Sequence, residues 1–372
     1  MKLTIERAAL LRSLGHVQSV VERRTTIPIL SNVKLEAADG RLNLSATDMD
    51  LDIVGSVEAE VANSGALTAP AVTLYEIIRR LPDGSQVELD SDGMDGQLAL
   101  RSGRSNFTLA CLPVEDFPAI DGANLPHAFK LSAGDLRVLI DRTQIAISTE
   151  ETRYYLNGIY LHPAERDGVD VMRAVATDGH RLASAEVPLP EGAAGMPGVI
   201  VPRKTVTEIR KLIDESGDEI DIALSDTKIR FAFDDAVMTS KLIDGTFPEY
   251  ERVIPSNNDK ELEVDRKSFA AAVDRVSAIS NEKSRAIKLE LKNDVLILSA
   301  SSPDSGSAIE EVEVNYRGEG LEIGFNSRYL LDITKQIEGD NARLSLADAA
   351  SPTIVREVDD ESALYVLMPM RV

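Results

Sequence analysis

The chain has 372 residues, 43% of them hydrophobic and 27% charged, with a formal net charge of −22 at pH 7. That is the composition of a folded globular protein. No apolar run approaches the roughly 18 residues that span a bilayer, and the opening Met1-Lys2-Leu3-Thr4-Ile5-Glu6 lacks the apolar core of a secretory signal. A single cysteine, Cys111, forbids an internal disulfide and points to a reducing cytoplasm, while the acidic balance argues at first against nucleic acid as a partner.

The first predicted helix covers residues 7–21, with Leu10, Leu11, Leu14 and Val17 at helical spacing, and Pro28 ends any continuation. A strand over 32–36 leads to a turn at Asp39-Gly40, after which Leu42 and Leu44 point one way. The second helix covers 72–81 and stops at Pro82-Asp83-Gly84. Short strands come next at 87–90, 98–101 and 107–112, separated by glycine turns. Cys111 falls in the last of them and reads as a buried small hydrophobe, with no neighbouring base to activate it.

The same order then returns twice. Leu3, Ile5, Leu10 and Leu14 recur as Phe129, Leu131, Leu136 and Ile140, and again as Leu262, Val264, Phe269 and Val273. Ala46, Ala176 and Ala300 each close an apolar run. Leu74, Ile77 and Leu81 recur as Val206, Ile209 and Ile213, then as Leu330, Ile333 and Ile337. The period drifts between 124 and 133 residues, well beyond the roughly 20–50 of a solenoid. A whole domain is therefore copied three times: residues 1–126, 127–255 and 256–372, with turn-rich joints at 121–126 and 255–260. Each copy has two half-units, a helix followed by strands, which predicts an α+β fold. In the second copy the later helix falls at 206–213 and its strands at 220–224, 229–233 and 237–243.

Catalytic motifs are missing. There is no GxxxxGK phosphate loop, no GxGxxG after a strand, no HExxH and no metal-ligand spacing of Cys and His. No catalytic residue, metal or cofactor is therefore expected. The Asp48, Asp50, Asp52 run resembles the start of a calcium loop, but Ile53 and Ala59 stand where the sharp glycine and the bidentate glutamate belong. One segment, 176–182, sets His180 beside Asp178. Without a paired Ser or Cys nucleophile it reads as a turn presenting a surface, and a hydrolase is the weaker alternative.

Charge follows element type. The six helical segments (6–24, 73–80, 132–151, 203–215, 265–285 and 327–338) total +4, so the rest of the chain carries −26. If the helices line one side, that side can face a polyanion while the other repels it. Neither a base-reading helix nor a set of stacking aromatics is visible, so sequence-specific or single-strand binding is not expected. A closed ring of six helices, each ~10 Å wide, leaves a bore of only ~8 Å. Twelve leave ~25 Å, enough for a duplex, so an encircling protein is expected to be a head-to-tail dimer.

Several strings resemble the bacterial DNA polymerase III beta subunit family, the replicative sliding clamps. They are Thr26-Ile27-Pro28-Ile29-Leu30, Arg153-Tyr154-Tyr155-Leu156-Asn157-Gly158, the 176–182 segment, Val201-Pro202-Arg203-Lys204, Thr246-Phe247-Pro248-Glu249-Tyr250, Ser280-Asn281-Glu282-Lys283 and Met368-Pro369-Met370-Arg371-Val372. The resemblance implies a ring-shaped homodimer of six similar domains, helices inside and sheets outside. Such a ring encircles duplex DNA without sequence specificity and without catalysis. It also implies a hydrophobic peptide groove between copies two and three at Leu156, Thr177, Gly179, His180, Arg181, Leu182, Pro248, Arg252, Val253, Val366, Met368, Pro369, Met370 and Arg371. Replicative and repair polymerases, the clamp loader and other proteins carrying short clamp-binding peptides would share that groove. Methionines suit a surface that accepts many partners. The DNA-facing positions implied are Arg24, Arg153, Tyr154, Tyr155, Arg203 and Lys204, and the dimer contacts Phe107 and Leu109 against Ala278 and Ile279. The alternative is a peptide-binding scaffold that does not encircle DNA.

Overall fold

Each copy opens on two apolar residues two apart, such as Leu3 and Ile5, and a period of two is that of a strand. The computed structural model, which describes residues 1–22, 25–93, 96–119, 124–215, 217–280 and 284–372, places a strand at each of these openings. Copy one runs β1 (Lys2–Glu6), α1 (Arg7–Gln18), β2 (Asn32–Ala38), β3 (Arg41–Thr47), β4 (Leu51–Glu58), β5 (Glu60–Asn63), β6 (Gly65–Pro70), α2 (Ala71–Arg80), β7 (Gln86–Asp90), β8 (Gln97–Ser102) and β9 (Ser105–Ala110). Copy two runs β10 (His127–Ser132), α3 (Ala133–Thr143), β11 (Gly158–Arg166), β12 (Val169–Thr177), β13 (Arg181–Pro188), β14 (Val199–Pro202), α4 (Arg203–Ile213), β15 (Glu219–Leu224), β16 (Lys228–Ala232) and β17 (Ala236–Lys241). Copy three runs β18 (Lys260–Asp265), α5 (Arg266–Ser277), β19 (Ala286–Lys292), β20 (Val295–Ser302), β21 (Gly306–Glu313), β22 (Leu321–Asn326), α6 (Ser327–Thr334), β23 (Asn341–Leu346), β24 (Thr353–Glu357) and β25 (Ala363–Leu367). Apart from the extra strand β5, every half-unit is strand, helix, three strands.

Local chemistry sets the helix ends. The Glu6 carboxylate accepts the Ala9 N–H at 2.9 Å and starts α1. That helix ends at Gln18, three residues before the expected Val21, where the Ser19 hydroxyl donates to the His16 carbonyl at 2.8 Å. Asp265 and Asn326 cap α5 and α6 in the same way. Leu10, Leu14 and Val17 of α1 are fully buried, as are Leu74 and Ile78 of α2, and each such side chain removed from water contributes ~2 kcal/mol. β9 ends at Ala110, so Cys111 lies just past the strand and is half-buried rather than buried; burial pushes its thiol pKa up.

The chain forms two compact units. The first is 1–136 with 190–196 and 204–242; the second is 137–189 with 197–203 and 243–372. In the first, β5-β1-β7-β8-β9 form one sheet and β10-β15-β16-β17-β4-β3-β2-β6 another. Copies one and two join here as neighbouring antiparallel strands, Met238 of β17 facing Ile53 of β4. In the second unit, β14-β11-β12-β13-β25-β24-β23-β18 form one sheet and β21-β20-β19-β22 another. Copies two and three join at β13 and β25, with Leu182 facing Val366 and Ala183 facing Tyr365. Among the described residues no helix is long and apolar enough to cross a membrane.

Candidate functional site

The join between β13 and β25 carries the site. Side chains on one sheet face alternate along each strand, so Val175, Leu182 and Val366 fall together. With Leu156, Ile200, Phe247 and Tyr250 they form a buried apolar cluster, against which Tyr155, Tyr160, Ile243, Ile254 and Leu364 pack. Around it the apolar surface stays open: Val253 is 50% and Met368 43% exposed. Pro248 and Arg252 are exposed beside them, on and before the short helical turn Tyr250–Val253. The tail after β25 is fixed by backbone bonds, the Met368 N–H to the His180 carbonyl at 3.0 Å and the Met370 N–H to the Gly324 carbonyl at 2.8 Å. Pro369 and Met370 are half-buried and Arg371 is exposed. A large apolar floor with an adaptable methionine rim suits an apolar segment.

The turn after β12 forms the far rim. Thr177 Oγ1 accepts the Gly179 N–H at 3.1 Å, and Asp178 Oδ1 accepts the His180 and Arg181 N–H groups at 2.9 and 3.0 Å. Gly179 sits at φ 85°, and the Arg153 guanidinium occupies the place a Cβ would take. Arg153 donates to the Asp178 carbonyl at 2.9 Å and to Glu150, whose carboxyl it holds below the usual range. Arg181 is engaged throughout: it donates to Asp178 Oδ2 at 3.2 Å and Asp332 Oδ2 at 2.9 Å, and lies 4.3 Å from the Tyr329 ring centre. It braces copy two against α6. The Asp178 oxygens thus serve backbone amides and Arg181, not the His180 ring, and His180 is exposed. The two are not arranged as a base and its orienting acid. Among the described residues no group of three or more His, Cys, Asp or Glu could hold a metal.

The expected DNA-facing residues have diverse settings. Arg24 lies outside the described residues, as do residues 281–283 of the 280–283 string. Tyr154 is 54% exposed, whereas Tyr155 packs on the groove cluster. Lys204 bonds the Val20 carbonyl at 3.0 Å and pairs with Asp48; Arg203 starts α4. Of the expected dimer contacts, Phe107 is 37% exposed on β9 and Leu109 buried, Ala278 is exposed and Ile279 half-buried after α5. Ile309 on β21, 74% exposed, was not expected. Its signal was an isoleucine on the solvent phase of a strand whose Ala308, Glu310 and Val312 face inward.

Fold and site together define a class: a tandem clamp, in which strand edges join one copied domain to the next. Models for the N-terminal, central and C-terminal domains of the DNA polymerase III beta subunit match residues 1–121, 130–249 and 251–371. The chain belongs to that family, the beta sliding clamps that serve as replication processivity factors. It is 55% identical to the beta sliding clamp of Caulobacter vibrioides over the whole of both chains. Its fold matches a C. crescentus beta sliding clamp crystal structure with a TM-score of 0.97, at 55% identity, over 100% of this chain and 99% of that one. A sliding clamp from Bartonella birtlesii bound to griselimycin gives a TM-score of 0.97 at 50% identity, with both chains fully covered.

Proposed function

We propose that two copies of this chain join end to end in the cytoplasm into a ring that duplex DNA threads, and that the groove tethers polymerases, the clamp loader and other partners to it through short apolar segments. The residue ranges 1–126, 127–255 and 256–372 are its three clamp domains. The carrying observation is an equivalence of strands. β4, β13 and β21 each come third after the first helix of their copy, and β17, β25 and β9 each come last after the second. β4 pairs with β17 and β13 with β25, while β21 and β9 stand at sheet ends with open edges. Such edges are templates for pairing.

The register of the two internal joins extends to a third. Met238 faces Ile53 and Tyr365 faces Ala183, and all four are buried. The equivalent pair is Phe107 of one chain and Ala308 of the next, which covers a ring left 37% exposed in the single chain. Arg104 beside β9 and Glu311 and Glu313 on β21 give the two edges opposite charge. Of the DNA-facing set, Tyr154 and Arg203 are exposed. Contacts with phosphate are non-specific and weaken with salt.

Cysteines placed at Phe107 and Ala308, in a Cys111→Ser background, test the register. Oxidation is expected to give a covalent dimer with no larger species, since directly opposed strand residues lie ~4.5–5.5 Å apart. A dimer loaded on a circular plasmid and oxidised only afterwards is expected to stay and to slide off after linearisation. Monomer after oxidation, or equal retention on both DNA forms, overturns the ring.

A further inference from the structure

Behind the groove, on the same sheet face, three neighbouring strands carry a polar row. His162 of β11 faces Arg173 of β12, and Arg173 faces Glu186 of β13. Arg173 and Glu186 are nearly buried, and the Arg173 Nε donates to Glu186 Oε1 at 2.6 Å. Tyr250 lies along this face. Its ring belongs to the apolar groove cluster, and its hydroxyl reaches the polar row. The phenol oxygen accepts from Arg173 Nη1 at 2.9 Å and is 3.0 Å from His162 Nε2. His162 Nδ1 is 2.8 Å from the Pro163 carbonyl, which can only accept, so Nδ1 holds the proton and Nε2 accepts from the tyrosine. Rings hold the arrangement laterally: Phe247 stacks on Tyr160 at 4.8 Å and Tyr160 on His162 at 4.6 Å. Tyr250 is also the first residue of the turn that presents Arg252 and Val253 to the groove.

We propose that His162 and Arg173 are positioning residues: by fixing both sides of the Tyr250 hydroxyl they set the place of the Tyr250–Val253 turn, and so the affinity of a groove they do not themselves line. The proposal rests on the groove reading above. The groups facing the imidazole are Tyr160 on its own strand, Arg173 on β12, Glu186 on β13, and Tyr250 and Glu251 on the turn. Burial, helped by Arg173, keeps the ring neutral below its ordinary value of 6.5. On protonation Nε2 becomes a donor. The phenol then receives two hydrogen bonds, and its own proton must turn to Glu251 Oε1, 3.4 Å away on the exposed side of the same turn. The turn changes its tether as the histidine titrates.

A sliding clamp 50% identical to this chain binds griselimycin; with that ligand taken as an occupant of the groove, its binding, measured by calorimetry on the full-length protein, separates the possibilities. All proteins carry His180→Gln, so that the groove itself holds no imidazole. His162→Phe is expected to bind about five- to tenfold more weakly, the loss of one hydrogen bond, and Tyr250→Phe, which loses two, at least as weakly as that. Arg173→Lys is expected to recover most of what Arg173→Met loses. His162→Gln keeps an acceptor without a titrating group, so it is expected to bind normally at about pH 7.5 and to lose the weakening that the parent shows as pH falls well below the ordinary imidazole value of 6.5. Unchanged affinity in Tyr250→Phe, or a pH dependence that survives in His162→Gln, overturns the positioning role while Val253→Asp still abolishes binding. If Val253→Asp binds griselimycin normally, the groove reading itself falls.

Discussion

The turn at Thr47–Asp50 and the turn at Thr177–His180 share one backbone and differ in what they build. Thr47 Oγ1 accepts the Met49 N–H at 2.9 Å, and Asp48 Oδ1 accepts those of Asp50 and Leu51, just as Thr177 and Asp178 do one copy later. The third residue is left-handed in both, φ 81° at Met49 and 85° at Gly179. Even the neighbouring strand arrives alike, the Lys241 N–H on the Asp50 carbonyl and the Met368 N–H on the His180 carbonyl. Thr-Asp therefore dictates the loop. The strand that leaves the loop decides its use. The facing pair beside the second turn is Leu182 and Val366, both buried and apolar; beside the first it is Asp52 and Thr239. One join offers an apolar floor and the other does not.

The hardest way to break this contrast is to write the first join into the second. Leu182→Asp places a charge in the floor, and the affinity of the proposed groove for a short apolar peptide is expected to fall by more than about 100-fold, since a buried unpaired charge costs several kcal/mol; calorimetry reads it directly. A smaller effect sharpens the role of the third turn residue. Gly179→Ala forces a Cβ into the left-handed region and against the Arg153 guanidinium, and is expected to destabilise the protein by ~1–2 kcal/mol in urea unfolding. Met49→Gly at the equivalent place is expected to be neutral or to stabilise by up to ~1 kcal/mol. The smallest effect concerns Asp52. Burial raises its carboxyl pKa above the ordinary 3.8, so the folded protein keeps this proton longer than the unfolded chain. Its ionisation then opposes folding as pH rises through that raised value. Asp52→Asn is expected to add stability, less than ~1 kcal/mol, at neutral pH and none in acid, as denaturation midpoints at the two pH values would show.

The triplication and the helix cores were legible because Leu10, Leu14, Leu74 and their counterparts repeat with helical period. The strand that opens each half-unit was missed: pairs such as Leu262 and Val264 carry its period of two, but the helix after each one dominated the local pattern, so each half-unit reads in sequence as a helix followed by strands. Which strand pairs with which was not legible either. Leu51 meets Ser240 and Arg181 meets Leu367 across long stretches of chain, and alternation fixes the face of a strand, not its partner. The groove residues came through similarity to known strings. That similarity names Arg153, Arg181 and Lys204 without revealing that neighbouring carboxylates and carbonyls already hold them. His162 and Arg173 carry no motif at all, since their pairing exists only once β11 and β12 lie side by side.

The shared eight-stranded sheets also govern how this chain tolerates being cut. A fragment ending at residue 126 would leave β4 without β17, and one beginning at 256 would leave β25 without β13. Each severed piece would present a raw row of amide and carbonyl groups in addition to the edge it already has. The repeat visible in the genetic text is thus a poor guide to where scissors should fall, and excised single modules would tend to stick to one another rather than behave as isolated domains.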